Sequence, residues 1–271
     1  VVVGATVHKL LLGEMLEAGL KAITKEKSVK ASWHALLNAH DIIGLKFNSS
    51  AQQIIGTTPT FAEVLIESLM DAGWPVEQIV CIEAPDRIVA RYQTQPVSTG
   101  YRGAVTDFGS GSDHLSRALD QVTAIINVPF LKTHNIAKIT CCLKNLSHGL
   151  IQHPARFHGQ GCSPYVADIV TLPEIKDKLK INIVDALRVV YRGGPNASND
   201  SITDLGSVLV SADPVALDAV GVSILNETRS KMGLEAAAAT PGHVPYLAKA
   251  HSLGLGIAKL FDIDFDRIRL G

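Results

Sequence analysis

The sequence predicts an α/β protein built on an open, mostly parallel sheet, with helices on both faces and long loops at the strand carboxyl ends. Three observations carry this. Short apolar runs recur at 41–47, 78–83, 123–128, 180–184 and 208–211, with the near-continuous hydrophobic character of strands buried on both faces. Segments with apolar residues at helical spacing lie between them. Strands alternating with helices form β-α-β units, whose strands run parallel.

Taken in order, Val1-Val2-Val3 reads as a short strand. Over 8–25, Leu11, Leu12, Met15, Leu16, Leu20 and Ile23 make one apolar helical face, and Val29, Trp33, Leu36 and Leu37 mark a second short helix. The strand 41–47 is followed by a loop over 48–58. Pro59 opens a helix that Gly73 stops after Ala72. A strand over Gln78–Glu83 completes a β-α-β unit. Residues 84–111 are the least regular part, and Gly109-Ser110-Gly111-Ser112 reads as a flexible turn. Ser112 or Asp113 is expected to cap a helix reaching Gln121, ahead of the strand at 123–128. Thr140–Leu146 reads as helical, 147–164 as a long loop, and a helix starts near Pro164. A strand over Lys180–Val184 ends at Asp185. A turn follows at Arg192-Gly193-Gly194-Pro195-Asn196. After the strand at 208–211, Asp213-Pro214 supplies a cap and a first-turn proline for a helix over 214–226. Residues 244–259 read as helical, and Ile268-Arg269-Leu270 as a closing strand. The expectation is one α/β domain over 1–271, with 84–111 and 147–164 as loop-rich insertions.

Composition narrows the function. The chain is 46% hydrophobic with a net charge of −1, and its mean hydropathy is +0.20. It lacks the basic stripe of a nucleic-acid binder, and aromatics at 5% offer little surface for stacking bases. No apolar run approaches the roughly 18 residues that span a membrane. The four cysteines, Cys81, Cys141, Cys142 and Cys162, contain no C-x-x-C pair, so neither a zinc knuckle nor an iron–sulfur cluster is expected. Adjacent Cys141 and Cys142 make a strained disulfide and read as buried small hydrophobes.

Chemistry concentrates after the strand at 123–128. Lys132-Thr133-His134, Lys144-Asn145, His148, His153, His158 and Cys162 fall within about thirty residues, where α/β proteins place their sites. His134 can act as general acid or base, or as a metal ligand. Lys132 and Lys144 can hold a carboxylate or phosphate as point charges, and Lys144 lies in an apolar stretch that would lower its pKa and let it act as nucleophile or base. These three are the catalytic candidates. Lys46 and Asn48, at another strand end, together with Asn145 and Asp185, are the candidates for binding ligand or cofactor. The histidines at 148, 153 and 158 are spaced by five, unlike the helical pair of a metalloprotease. Folded back, His153 and His158 with Cys162 can hold a divalent metal ion. His158 is favoured over His148.

Asp41-x-x-Gly44-x-Lys46-x-Asn48, Asn127-Val128-Pro129-x-Leu131-Lys132-Thr133-His134, Leu143-Lys144-Asn145-Leu146 and Asp213-Pro214-Val215-Ala216-Leu217-Asp218 together resemble the domain of unknown function 362 family. Asp86-Arg87 and Gly193-Gly194-Pro195 resemble its shorter signatures. The resemblance runs from about residue 41 to 257. It implies an α/β fold, a bacterial or archaeal source, and export behind a twin-arginine leader rather than a cytoplasmic location. An opening without methionine fits a leader upstream. Two readings of function stand. One is an enzyme acting on a small anionic substrate or cofactor, with Lys132, Lys144 and Lys46 holding the anion, His134 moving a proton, and Asp185 orienting a base or metal. The other is a non-catalytic carrier of a metal or small ligand that uses the loop histidines.

Overall fold

The structure is a computed structural model, described for residues 2–3, 6–48, 57–84, 86–92, 94, 99–194 and 197–270. Val1, most of the loop expected over 48–58, and Pro195 and Asn196 of the expected turn lie outside the described residues.

Strands β1 (Val2–Val3) and β2 (Thr6–Val7) pair antiparallel. Helices α1 (Lys9–Thr24) and α2 (Val29–Leu36) precede β3 (Ile43–Lys46), α3 (Pro59–Ala72), β4 (Ile79–Ile82) and α4 (Asp86–Tyr92). The pair β5 (Thr106–Asp107) and β6 (Ser112–Asp113) leads to α5 (Ala118–Gln121) and β7 (Ala124–Asn127). Next come β8 (Phe130–His134), β9 (Lys138–Thr140), α6 (Cys142–Ser147) and a helical turn α7 (Gly159–Cys162). Helices α8 (Tyr165–Val170) and α9 (Pro173–Lys176) lead to the long strands β10 (Leu179–Val190) and β11 (Ile202–Ser211). Helices α10 (Pro214–Lys231) and α11 (Pro245–Ser252) follow.

Seven strands form the central sheet, in the order β4-β3-β7-β10-β8-β9 with β11 also on β10. The pairs β3/β4, β3/β7, β7/β10 and β8/β10 are parallel. The pairs β8/β9 and β10/β11 are antiparallel. Strands β7 and β8 run almost end to end along β10, broken at Val128-Pro129, because proline cannot donate to the ladder.

Alternating side chains feed two cores. Ile43, Leu45, Ile79, Ala124 and Ile126 face α1, α2 and α3, packing with Leu16, Trp33 and Leu65. Val80, Ile82, Ile125 and Leu131 face the other layer, packing with Leu143, Val166, Val215 and Leu247. Each Leu or Ile buried this fully contributes roughly 1.5–3 kcal/mol. Local signals set the helix ends as expected. Pro59 opens α3, Gly73 (φ 120°) closes it, and the Asp213 carboxylate caps α10 by accepting from the Val215 and Ala216 amides.

Several expectations are corrected. Ser112 and Asp113 start no helix. They form a strand paired with β5, because the Asp113 carboxylate accepts from the His114 and His153 amides instead of from a first helical turn. The hairpin β8–β9 was not expected at all, and His134 lies within β8 rather than in a loop after it. Asp185 lies in the middle of β10, which continues past it because β8 and β11 pair with both of its edges. Residues 268–270 form no strand, having no neighbour to pair with among the described residues. The segment 147–164 is a chain of short helical turns.

Candidate functional site

The register of the sheet lays a polar row across its middle. Lys46 of β3 stands beside Asn127 of β7, which stands beside Asn182 of β10. All three are fully buried, so each polar atom needs a partner. Asn127 Nδ2 donates to Asn182 Oδ1 at 2.8 Å and to the Cys142 carbonyl at 3.2 Å. Helix α6 lies against this row. Asn145 Nδ2 donates to Asn127 Oδ1 at 2.8 Å and to the Lys46 carbonyl at 3.1 Å. Asn145 Oδ1 accepts from Lys46 Nζ at 3.1 Å and from Asn48 Nδ2 at 3.2 Å. Lys46 Nζ also donates to Glu83 Oε2 at 2.7 Å and the Phe47 carbonyl at 2.8 Å.

Above this network is a cavity of about 330 Å³ at the carboxyl ends of β3, β4 and β8, the position expected for a site in a parallel sheet. Asn48, Glu83, Lys132, His134, Thr140, Lys144, Asn145, His148, Gly149 and His158 are among its lining residues. Lys132 and His134 are two apart on β8 and so share a face. Thr140 is directly opposite Lys132 on β9. Lys132 Nζ donates to Asn48 Oδ1 at 3.1 Å. Burial lowers the Lys132 ammonium to about 8, with the Lys144 charge adding to the effect. Burial also lowers Lys144 to about 8.

His134 is held as a neutral imidazole. Burial, then the Lys144 charge, pulls its pKa down to about 3. Its Nδ1 accepts from the Ile136 and Ala137 amides, each at 3.1 Å. An acceptor at Nδ1 places the proton on Nε2, so His134 offers a fixed N–H donor. A lone pair for abstracting a proton would require the other tautomer. The His158 ring stacks on His134 at 5.4 Å and meets His148 edge-on at 4.8 Å. His158 Nδ1 donates to the Pro154 carbonyl at 3.0 Å, and its Nε2 accepts from Lys144 Nζ at 3.2 Å.

Residues 43–223 match the family described as a domain of unknown function, DUF362. The chain belongs to the DUF362 family. No curated protein matches it. The segments that carried the resemblance gather at this cavity. Lys46 and Asn48, Lys132 and His134, and Lys144 and Asn145 all line it or bond to residues that do. The last carboxylate of the Asp213–Asp218 segment works from behind. Asp218, fully buried on α10, accepts from the Cys142 amide at 2.6 Å and the Leu143 amide at 3.3 Å. It thus caps α6 from another helix and fixes the element that presents Lys144 and Asn145.

Asp185 and His153 fall outside this DUF362 cavity, and Cys162 is buried behind its wall rather than lining it. Asp185 turns elsewhere, accepting from the Thr58 amide at 2.8 Å and the Leu187 amide at 3.2 Å. His153 is exposed, and its Nδ1 pairs with Asp113 Oδ1 at 2.9 Å. His158 and Cys162 group with His148 instead, their ligand-capable atoms within 4.8 Å of one another. Cys141 and Cys142 are buried free thiols with sulfurs 3.8 Å apart. Sequence reasoning missed Glu83, Thr140, Gly149 and Asp218. Glu83 was within reach, because it follows β4 much as Asn48 follows β3. Gly149 carries no chemical signal; it lines the cavity because a Cβ there would meet Lys46 Nζ at 2.6 Å.

Proposed function

We propose that this cavity binds a small anionic substrate and stabilises negative charge that develops on one of its oxygens. The observation that carries the reading is the charge of the lining. Among the described residues it presents two buried ammonium groups, Lys132 and Lys144, and one carboxylate, Glu83, which already accepts from a third ammonium, Lys46. Glu83 also acts on Lys132, and the described lining still carries more positive than negative charge, which favours a carboxylate or phosphate. Lys132 and Lys144 supply the countercharge, Asn48 holds the Lys132 ammonium and His158 Nε2 the Lys144 ammonium, and His134 supplies a neutral N–H donor. A preorganised donor of this kind stabilises a forming oxyanion without exchanging its own proton. The chemistry this suits is stabilisation of an enolate-like oxyanion, with His134 as the electrophilic group rather than a base. The volume of about 330 Å³ is at the small end of ligand pockets.

The test is calorimetric titration of chelator-treated, metal-free protein with oxalate, a dianion that mimics an enolate, and with inorganic phosphate. Saturable binding of either is expected. Lys132→Gln and Lys144→Gln should each weaken it about tenfold, the loss of one charge-assisted contact, while exposed Lys30→Gln should not. Binding that survives the Lys132/Lys144 double substitution, or no binding of either anion, removes the reading.

A further inference from the structure

We propose that His148, His158 and Cys162 form a transition-metal site in the wall of the cavity. It would take a borderline ion of the zinc, cobalt or copper type. Their ligand-capable atoms already lie within 4.8 Å of one another. A four-coordinate ion with bonds of about 2.0–2.3 Å separates its ligands by about 3.5 Å, so closure takes about an ångström.

Three observations favour an ion over three unrelated side chains. First, each imidazole has one nitrogen fixed by a backbone carbonyl. His148 Nε2 donates to Phe157 O at 3.2 Å, and His158 Nδ1 donates to Pro154 O at 3.0 Å. That outer-shell bond is what orients a metal-bound histidine and leaves its other nitrogen as a lone pair. His158 Nε2 is that lone pair here; in His148 it is Nδ1, which lies 3.3 Å from Ser147 Oγ, and that hydroxyl keeps its bond to the Leu143 carbonyl at 2.9 Å when an ion takes the nitrogen. Second, a cation already stands beside the ligands. Lys144 Nζ lies 3.2 Å from His158 Nε2; burial raises the Cys162 thiol, and the Lys144 charge offsets only part of that. Third, the chain makes an unusual turn to place the sulfur. Gln160, Gly161 and Cys162 are all left-handed, with φ of 51°, 67° and 65°, and Cys162 ends fully buried.

The donor set chooses the metal. Two imidazoles and one thiolate suit zinc, cobalt and copper and give calcium or magnesium no oxygen ligand. Three protein ligands leave a position free, the pattern of sites that act on a substrate. Both histidines line the cavity, so that position opens toward it. On binding, the Cys162 thiol loses its proton to solvent. Lys144 keeps its proton and leaves His158 Nε2 for the cavity. A second metal-capable group, Cys141, Cys142 and Asp218, carries no such case, because its carboxylate is bonded to two amides.

The experiment is titration of the chelator-treated full chain with Co²⁺ in a non-coordinating buffer. One equivalent should bind and produce a near-ultraviolet thiolate-to-cobalt charge-transfer band. Cys162→Ser should abolish the band, and His158→Ala and His148→Ala should each weaken binding tenfold or more. Cys81→Ser and His153→Ala should change neither. Absence of the band in the unaltered protein overturns the proposal whether or not the variants fold, as does a band that persists in Cys162→Ser. Anion binding is measured on metal-free protein and Co²⁺ binding without anion, so each reading can fail alone.

Discussion

Lys46 and Asn145 clasp each other twice. The Lys46 ammonium donates to Asn145 Oδ1 at 3.1 Å, and the Asn145 amide donates back to the Lys46 carbonyl at 3.1 Å. The two residues are 99 positions apart, so this pair locks α6 onto the end of β3. Every polar atom of the Asn145 side chain is used, two bonds on each, because Asn48 and Asn127 complete its set.

Asn145→Leu should therefore destabilise the protein strongly although Leu is close in size. The buried ammonium of Lys46 and the oxygen of Asn127 each lose a partner, and an unsatisfied buried group costs about 1–3 kcal/mol, more when charged. A loss of about 3 kcal/mol is expected, read from the midpoint of urea unfolding at unchanged slope. A loss under about 0.5 kcal/mol, the scale of an ordinary surface substitution, would show that the network does not hold α6.

How much of this was legible follows from how local each signal is. Both ends of α3 and the start of α10 were readable because Pro59, Gly73 and Asp213 act on their own neighbours, whereas α10 runs to Lys231, past the expected 226. The central strands were readable because burial on both faces makes them continuously apolar. The hairpin β8–β9 was hidden because its cavity face carries Lys132, His134 and Thr140, which resemble a polar loop until the partner strand is known. Asp185 misled for the opposite reason. Aspartate is rare inside strands, so it looked like an end, whereas two amides satisfy it in mid-strand. Between His148 and His153, equal spacing could not decide which turned inward. Asp113, forty residues earlier, draws His153 out.

Gly149→Ala should disturb the site from the opposite wall. The new Cβ would lie 2.6 Å from Lys46 Nζ and 2.9 Å from its Cε. A flexible lysine tip normally gives way, but this one is fully buried and holds three bonds. Overpacking of this kind costs about 1–3 kcal/mol. Thermal unfolding should show that loss, with weaker oxalate binding. Unchanged stability would mean that Lys46 moves freely.

Asp218 should give the protein an unusual dependence on pH. Burial raises its carboxyl from 3.8 to about 7, although the Cys142 and Leu143 amides favour the carboxylate. The folded protein then keeps a proton that the unfolded chain releases above 3.8. The resulting stabilisation is complete below about pH 3.8 and is lost as pH rises through 7. His134 works the other way. With its folded pKa lowered from 6.5 to about 3, it costs stability as pH falls through that window. Subtracting Asp218→Asn from the unaltered protein isolates the aspartate. Between pH 4 and 8 the difference in unfolding free energy should fall by an amount on the order of 4 kcal/mol. A difference that is flat or rises with pH would show that Asp218 is ionised when folded.

Thr140 tests whether the cavity is built for a ligand or merely tolerated by the fold. Its hydroxyl is buried without a partner among the described protein groups, and so is that of Thr133. The two lie on opposite faces of the β8–β9 hairpin. Thr140 stands opposite Lys132 and lines the cavity, whereas Thr133 pairs with Ile139. An unsatisfied buried hydroxyl costs about 1–3 kcal/mol. Valine keeps the branched shape a strand prefers and removes that cost. Both Thr140→Val and Thr133→Val should therefore leave the unliganded protein as stable or up to about 1 kcal/mol more so. Only Thr140→Val should weaken oxalate binding, by about three- to tenfold, the worth of one hydrogen bond. If both variants keep full affinity, the Thr140 hydroxyl has no part in binding. If both lose it equally, the effect passes through the hairpin and the argument from the cavity face is wrong.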